Sequence, residues 1–249
     1  MIVSPFLFGD MKDLSKNDYF GPHILFGWSS RVDGAMNQVG HEEYDNERRA
    51  NRLEFLSHQF GRVPFVAPRL QHGAVCEAVE VAAPTEGIVV ADALVTGTRG
   101  LVLTVGMGDC SPVFFYDPKK EVIAIAHCGW KGILAGVIES TIEKMRSSFN
   151  CYRDDIRVLI GTGICMDCYE VGPEVARKFM IPAIGKVHLS LTREIEQNLL
   201  ESGIWNTHIS AAVDCTSHTT GPSGEPKYFS HRRDKVEPVN TQLAAIMMK

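Results

Sequence analysis

The sequence predicts an α+β fold, a mixed β-sheet core with flanking helices, organised as a single domain over residues 1–249. Three observations predict it. Short apolar runs rich in branched residues, bounded by turn chemistry, recur at 87–90, 101–105, 112–116, 122–126 and 156–160, as strands do. Between 101 and 126 these runs follow one another with no helical stretch between them, which favours a mixed or antiparallel sheet over a doubly wound one. After Gly132, the residues Ile133, Leu134, Val137, Ile138, Ile142 and Met145 recur at three and four positions, the period of an amphipathic helix.

The remaining elements follow in order. A helix is expected over 45–59 and another over 173–180. The one long loop should be 216–227, where Gly221, Pro222, Gly224 and Pro226 set turns. No repeat of 20 to 50 residues and no low-complexity stretch divides the chain.

Composition narrows the function. With 45% hydrophobic and 22% charged residues and a formal net charge of −5, the chain has no basic face for nucleic acid. The apolar stretch from Ile2 to Phe8 lacks a positive leader and is cut short by Asp10, so neither a signal peptide nor a membrane span is expected, and the cytoplasm is the expected location. Seven cysteines without a secreted-type spacing point to buried thiols, ligands or nucleophiles rather than disulfides.

Three borderline-soft ligands stand where strands should end: His72 before Gly73, Cys110 before Ser111 and Pro112, and His127 before Cys128 and Gly129. Two imidazoles and a thiolate suit zinc, and a catalytic site leaves a fourth position open for water. A hydrogen-bonded structural role is the commoner use of any single histidine, and spacing alone does not make these three converge. The segment 113–126, however, reads as two strands joined at Asp117 and Pro118, and a hairpin returns Cys110 and His127 to one edge.

Several segments, in order, carry a family likeness. They are His72-Gly73, Ala91-Asp92-Ala93-Leu94-Val95-Thr96, Asp109-Cys110-Ser111-Pro112-Val113, Ala126-His127-Cys128-Gly129-Trp130-Lys131-Gly132, Tyr169-Glu170-Val171-Gly172 and Phe229-Ser230-His231-Arg232-Arg233. Together they resemble the laccase-domain family, also called polyphenol oxidase-like or peptidoglycan editing factor proteins, from about Phe26 to Arg233. The resemblance implies zinc at His72, Cys110 and His127, with copper as the alternative ion, and these three as the catalytic residues. It also implies a purine nucleoside phosphorylase that converts adenosine, inosine or guanosine plus phosphate to base and ribose 1-phosphate. Adenosine deaminase and methylthioadenosine phosphorylase side activities belong to the same expectation. Its partners would be a small purine nucleoside and phosphate, with no nucleic acid and no membrane. One His-His-Cys set cannot supply the several copper centres that multicopper oxidation needs.

Substrate contacts are expected from Lys131, at the start of the helix after Gly129, where unpaired N–H groups favour an anion. Arg52 after Asn51 looks like the family's Asn-Arg signature, and Asn37 and Arg31 resemble residues of its N-terminal motif. The family's arginine at the place of Lys131 and its Thr-Gly-Arg before the last helix are both replaced, the second by Val239-Asn240-Thr241-Gln242, and Gly161-Thr162-Gly163 stands where Gly-Pro is usual. Cys165-Met166-Asp167-Cys168 has zinc-knuckle spacing but no matching second pair, so it reads as a loop lining the pocket. His41-Glu42-Glu43-Tyr44-Asp45 lacks the second histidine of a metalloprotease helix, and Gly106-Met107-Gly108 lacks the third glycine of a nucleotide loop. Two other functions use the same chain differently: a metal-free cysteine hydrolase or deamidase with Cys110 as nucleophile and His127 as base, or a cell-wall editing factor acting through a partner.

Overall fold

The computed structural model describes residues 19–36, 45–81, 84–236 and 239–249. Asn37 lies outside the described residues. In chain order the elements are β1 (Ile24–Trp28), α1 (Asp45–Phe60), β2 (Phe65–Arg69), β3 (Cys76–Ala78), β4 (Thr85–Val90), β5 (Ala93–Thr96), β6 (Val102–Met107), β7 (Ser111–Asp117) and β8 (Val122–Cys128). There follow α2 (Trp130–Ala135), α3 (Val137–Phe149), β9 (Arg157–Ile160), β10 (Glu170–Val171), α4 (Pro173–Ala176), β11 (Val187–His188), α5 (Leu191–Glu201), β12 (Ile209–Ala211), α6 (His231–Asp234) and β13 (Gln242–Met248).

Two mixed sheets carry the structure. One runs in the order β1-β13-β6-β2-β4, the other β12-β9-β7-β8-β5-β3, and β10 pairs separately with β11. The strands β6, β7, β8 and β13 are buried at every position, which explains their unbroken apolar runs. Parity along each strand shows what covers each face. On β7 and β8, Phe114, Tyr116, Ile123 and Ile125 point into the same cluster as Leu103, Val105, Ala244 and Ile246 of the other sheet. The alternate residues Val113, Phe115, Val122, Ala124 and Ala126 meet Ile138, Ile142 and Met145 of α3 and Ile195 and Leu199 of α5. On the far side, Leu243, Ala245 and Met247 pack against Phe55, Leu56 and Phe60 of α1. The layers are therefore helix, sheet, sheet, helix. Each fully buried Ile, Leu or Phe in them contributes roughly 1.5–3 kcal/mol.

The differences from the sequence expectation have local causes. The helix expected after Gly132 is two helices, because Gly136 takes a left-handed conformation (φ 84°) that ends α2 and caps α3. The segment expected to enter a last helix after Asn240 is instead a strand: β13 sits between β1 and β6, antiparallel to both, as an interior strand of its sheet. Two buried faces, not an amphipathic one, suit its run Leu243-Ala244-Ala245-Ile246-Met247-Met248. The expected helix over 173–180 is one α-turn followed by a tighter turn over Arg177–Phe179. Among the described residues, no helix is long and apolar enough to cross a membrane.

Candidate metal centre and substrate pocket

The β7-β8 hairpin builds the first half of the site. Its register pairs Ser111 with Cys128 and Pro112 with His127, so Cys110, one residue ahead of β7, meets the far end of β8. The Asp117 carboxylate accepts the N–H groups of Lys119 (2.8 Å) and Lys120 (3.0 Å) and fixes the turn at the other end. Gly129 completes the approach. A Cβ there would lie 2.6 Å from Cys110 Sγ and 3.8 Å from His127 Nε2, so thiol and imidazole converge on the space that this residue leaves free.

His127 is almost fully buried, yet its Nε2 has no hydrogen-bond partner. Its Nδ1 lies 2.8 Å from the Gly106 carbonyl oxygen, which can only accept, so Nδ1 carries the proton and Nε2 presents a lone pair. Burial, then the neighbouring His72, pulls the imidazole down to about 4 and keeps it neutral. An orphaned ring nitrogen with its partner nitrogen tied to a carbonyl is the arrangement a histidine metal ligand adopts.

His72 comes from the loop after β2. Its ring stands edge-on to that of His127, centroids 5.1 Å apart, and its backbone is left-handed (φ 57°). The buried Asp92 carboxylate shapes this loop by accepting the N–H groups of Gln71 (2.8 Å) and Val75 (3.3 Å). The Asp92 carbonyl accepts the His127 N–H at 2.8 Å, so one residue ties both histidines together. Gly132 lets α2 close on them: a Cβ there would sit 3.1 Å from the Gly73 oxygen and 3.3 Å from the His127 oxygen.

Asp109 positions Cys110 in the same way. It too is left-handed (φ 89°), a strained setting for a residue with a side chain, and its carboxylate accepts from the Thr216 hydroxyl (2.6 Å) and the Arg232 N–H (2.7 Å). Burial, then the Asp109 charge, pushes the Cys110 thiol up to about 12. Burial, then Cys110, likewise raises Tyr169 to about 12, so its hydroxyl keeps its proton and remains a donor.

These groups open on a cavity of about 640 Å³, lined among others by His72, Cys110, His127, Lys131, Tyr169 and Arg232. That volume is in the usual range for a small-molecule site. Of the expected substrate contacts, Lys131 is at the cavity wall, with its ammonium 5.7 Å from the Trp130 ring centre. Arg52 and Arg31 are not among the described residues that line it. Arg52 is buried and pairs with Glu86 at 2.6 Å, and Arg31 pairs with Asp234 at 2.6 Å and covers the Phe229 ring. Sequence reasoning did not assign Asp92, Asp109, Tyr169 or Arg232 to the site, although all four stand in segments that carry the family likeness.

Comparison with known proteins gives the chain its relatives. Residues 26–249 match the family described as multi-copper polyphenol oxidoreductase laccase. A purine nucleoside phosphorylase of Deinococcus radiodurans is 32% identical over 195 residues, 75% of this chain and 70% of that protein. Adenosine deaminase RL5, from an unknown prokaryotic organism, is 31% identical over 168 residues, 62% of this chain and 60% of its own length. In fold, the chain matches the crystal structure of the Bacillus licheniformis hypothetical protein YfiH, with a TM-score of 0.76, 24% identity, and coverage of 91% of this chain and 93% of that one.

Proposed function

From the premise that this chain belongs to the family described as multi-copper polyphenol oxidoreductase laccase, we propose that it is a nucleoside-processing enzyme whose pocket takes a purine nucleoside and phosphate at a single metal centre. His72, Cys110 and His127 would hold the ion, zinc by the chemistry of the donor set. One orphaned atom carries the reading: His127 Nε2, buried, unprotonated and aimed with Cys110 Sγ at the gap above Gly129. The names of the relatives, purine nucleoside phosphorylase and adenosine deaminase, supply the substrate class.

A zinc held by His72, Cys110 and His127 would supply Lewis-acid chemistry there. The protein's own groups do the rest. Tyr169, held protonated, can donate a hydrogen bond to the purine or to the ribose. Lys131 and Arg232 supply positive charge at the cavity wall for phosphate. Apolar walls from Met107, Ile164 and Leu191 exclude water from the purine face. Two histidines and one thiolate account for one ion, not for the several copper centres in the family's description.

A thiol nucleophile fits less well. Such a cysteine needs a depressed pKa and a partner base, whereas burial and Asp109 raise Cys110 and His127 Nε2 makes no hydrogen bond. Adenosine incubated with and without phosphate tests the proposal. Phosphate-dependent release of adenine and ribose 1-phosphate, or formation of inosine, should stop with a chelator and return with zinc. Turnover that survives chelation but dies with iodoacetamide would transfer the chemistry to the thiol.

A further inference from the structure

Away from the pocket ligands, Cys165 and Cys168 meet Cys215 and His218. The sequence reading of Cys165-Met166-Asp167-Cys168 as an unpaired knuckle is corrected here: the second half is Cys215-Thr216-Ser217-His218, about fifty residues on, and the fold joins the two. We infer that Cys165, Cys168, Cys215 and His218 form a second, structural zinc site, closed by four protein ligands, that braces the wall of the pocket.

Spacing and geometry agree. The pattern is Cys-x2-Cys followed by Cys-x2-His, a three-thiolate, one-imidazole set of the structural kind. The four donor atoms all lie within 4.8 Å of one another. His218 Nδ1 is 3.6 Å from Cys165 Sγ and 3.3 Å from Cys168 Sγ. Zinc–ligand bonds of about 2.0–2.3 Å in a tetrahedron place donors roughly 3.3–3.8 Å apart, so both distances suit a shared ion. A disulfide between any two of the thiols would leave the third and the imidazole converging for no reason.

The surroundings are those of a metal knuckle. Cys215 Sγ accepts the backbone N–H of Cys165 (3.2 Å) and of Ser217 (3.4 Å), donors that stabilise a thiolate. The first half turns tightly, with the Cys168 N–H on the Cys165 oxygen at 3.1 Å. The second half is closed by the Cys215 N–H on Thr219 Oγ1 (2.8 Å) and the Thr219 N–H on the Cys215 oxygen (3.0 Å). Gly163 bridges to Cys215, and the Thr216 N–H reaches the Gly163 oxygen at 3.0 Å.

The location explains a purpose. Between β12 and α6 the chain forms no named helix or strand, so few elements hold that stretch down. Ile164 and Tyr169 flank the first knuckle, and both line the cavity. Within the second, Thr216 donates to the Asp109 carboxylate beside Cys110, and the Thr216 and Ser217 oxygens accept from Arg233. An ion here would fix Tyr169 and Asp109 from behind.

Metal analysis decides it without any reading of nucleoside turnover. Protein purified without added metal should carry two zinc ions per chain, and Cys110→Ser, which removes a pocket ligand, should still carry one. Adding Cys168→Ser and His218→Ala to that variant should remove the last. To keep the test independent of the folding of those variants, cobalt is also titrated into metal-free Cys110→Ser. Intense thiolate-to-cobalt charge transfer with tetrahedral ligand-field bands supports the site. On the same sample, iodoacetamide should label Cys165 and Cys168 at least on the order of tenfold more slowly with the metal than after chelation. A reduced, folded Cys110→Ser protein that holds no zinc and gives no tetrahedral cobalt spectrum overturns the inference. So does alkylation at equal rates with and without metal. Neither result touches the pocket proposal, which stands or falls on the ion lost with Cys110.

Discussion

Two clusters of metal-ligand chemistry stand on either side of one pocket wall, and they are built to opposite plans. At the pocket, His72, Cys110 and His127 come from a loop and from the ends of two strands and face a cavity of about 640 Å³. Behind the wall, three cysteines and a histidine come from two loops and bring every donor atom within 4.8 Å of the others. Three protein ligands leave a coordination position open to a substrate, and four leave none. On the two proposals, the contrast is that between a metal used for chemistry and a metal used as a clamp. Rigidity is supplied differently as well. The pocket histidines are held by the carboxylate and carbonyl of Asp92 and the carbonyl of Gly106, whereas the second cluster is held by turns and backbone donors, to which the proposed ion would add.

The largest expected effect separates the two clusters outright. His127→Ala should remove the pocket ion and lower kcat/KM for nucleoside on the order of a thousandfold, the several kcal/mol that a Lewis acid supplies. The zinc of the Cys165 cluster should stay, leaving one ion per chain by metal analysis. Loss of both ions would mean that the clusters are not independent.

Gly129→Ala is the finer probe. The backbone at Gly129 (φ −92°, ψ 170°) is open to any residue, so the added methyl acts only by occupying the space 2.6 Å from Cys110 Sγ. Metal affinity and turnover should fall about 10–100-fold, as for other disturbed ligand settings, while the thermal midpoint moves little. An unchanged zinc affinity would show that the thiol and imidazole do not need that gap.

Proton release distinguishes the pocket thiol directly. Cys110 is held up to about 12 and His127 down to about 4, so near neutral pH the metal-free pocket has a protonated thiol and an already neutral His127. Zinc must displace the thiol proton. With the Cys165 cluster already loaded, binding should release about one proton, from Cys110, and affinity should rise about tenfold per pH unit between about pH 7 and 9. Calorimetry in buffers of different ionisation enthalpy reads the count. A pH-independent affinity would remove the thiolate from the ligand set.

What was legible in the sequence follows from which interactions are local. The strands β6 to β9 announced themselves because two buried faces require unbroken apolar runs, and the β7-β8 hairpin could be read from its turn, which brought Cys110 to His127. His72 could not be placed that way, since it stands in a crossover between strands of the two sheets. The roles of Asp92 and Asp109 were invisible because their partners, Val75 and Thr216 among them, are 17 and 107 residues away. The Cys165 knuckle was misread for the same reason: its other half stands beyond α5 and β12 and joins through a parallel bridge at Gly163. Arg52 shows a long-range partner of another kind. The likeness of Asn51-Arg52 to the family's Asn-Arg signature suggested a substrate contact, and the fold pairs Arg52 with Glu86, contributed by β4.

Lys131 offers the smallest and most specific test of the pocket. Its ammonium is exposed, so whatever it gives to phosphate is screened by water and salt. Lys131→Ala should raise the KM for phosphate only about three- to tenfold, with kcat and the bound ion unchanged, and the difference should shrink as ionic strength rises. Lys131→Arg should do the opposite, because a guanidinium fork can take two phosphate oxygens where an ammonium acts as a point charge. If both substitutions leave the phosphate KM alone, the anion is held deeper, by Arg232 beside Tyr169, whose guanidinium carbon stands 5.3 Å from that ring. Phosphate would then be bound on the wall that the second cluster braces, and releasing that cluster's ion would weaken phosphate binding as well.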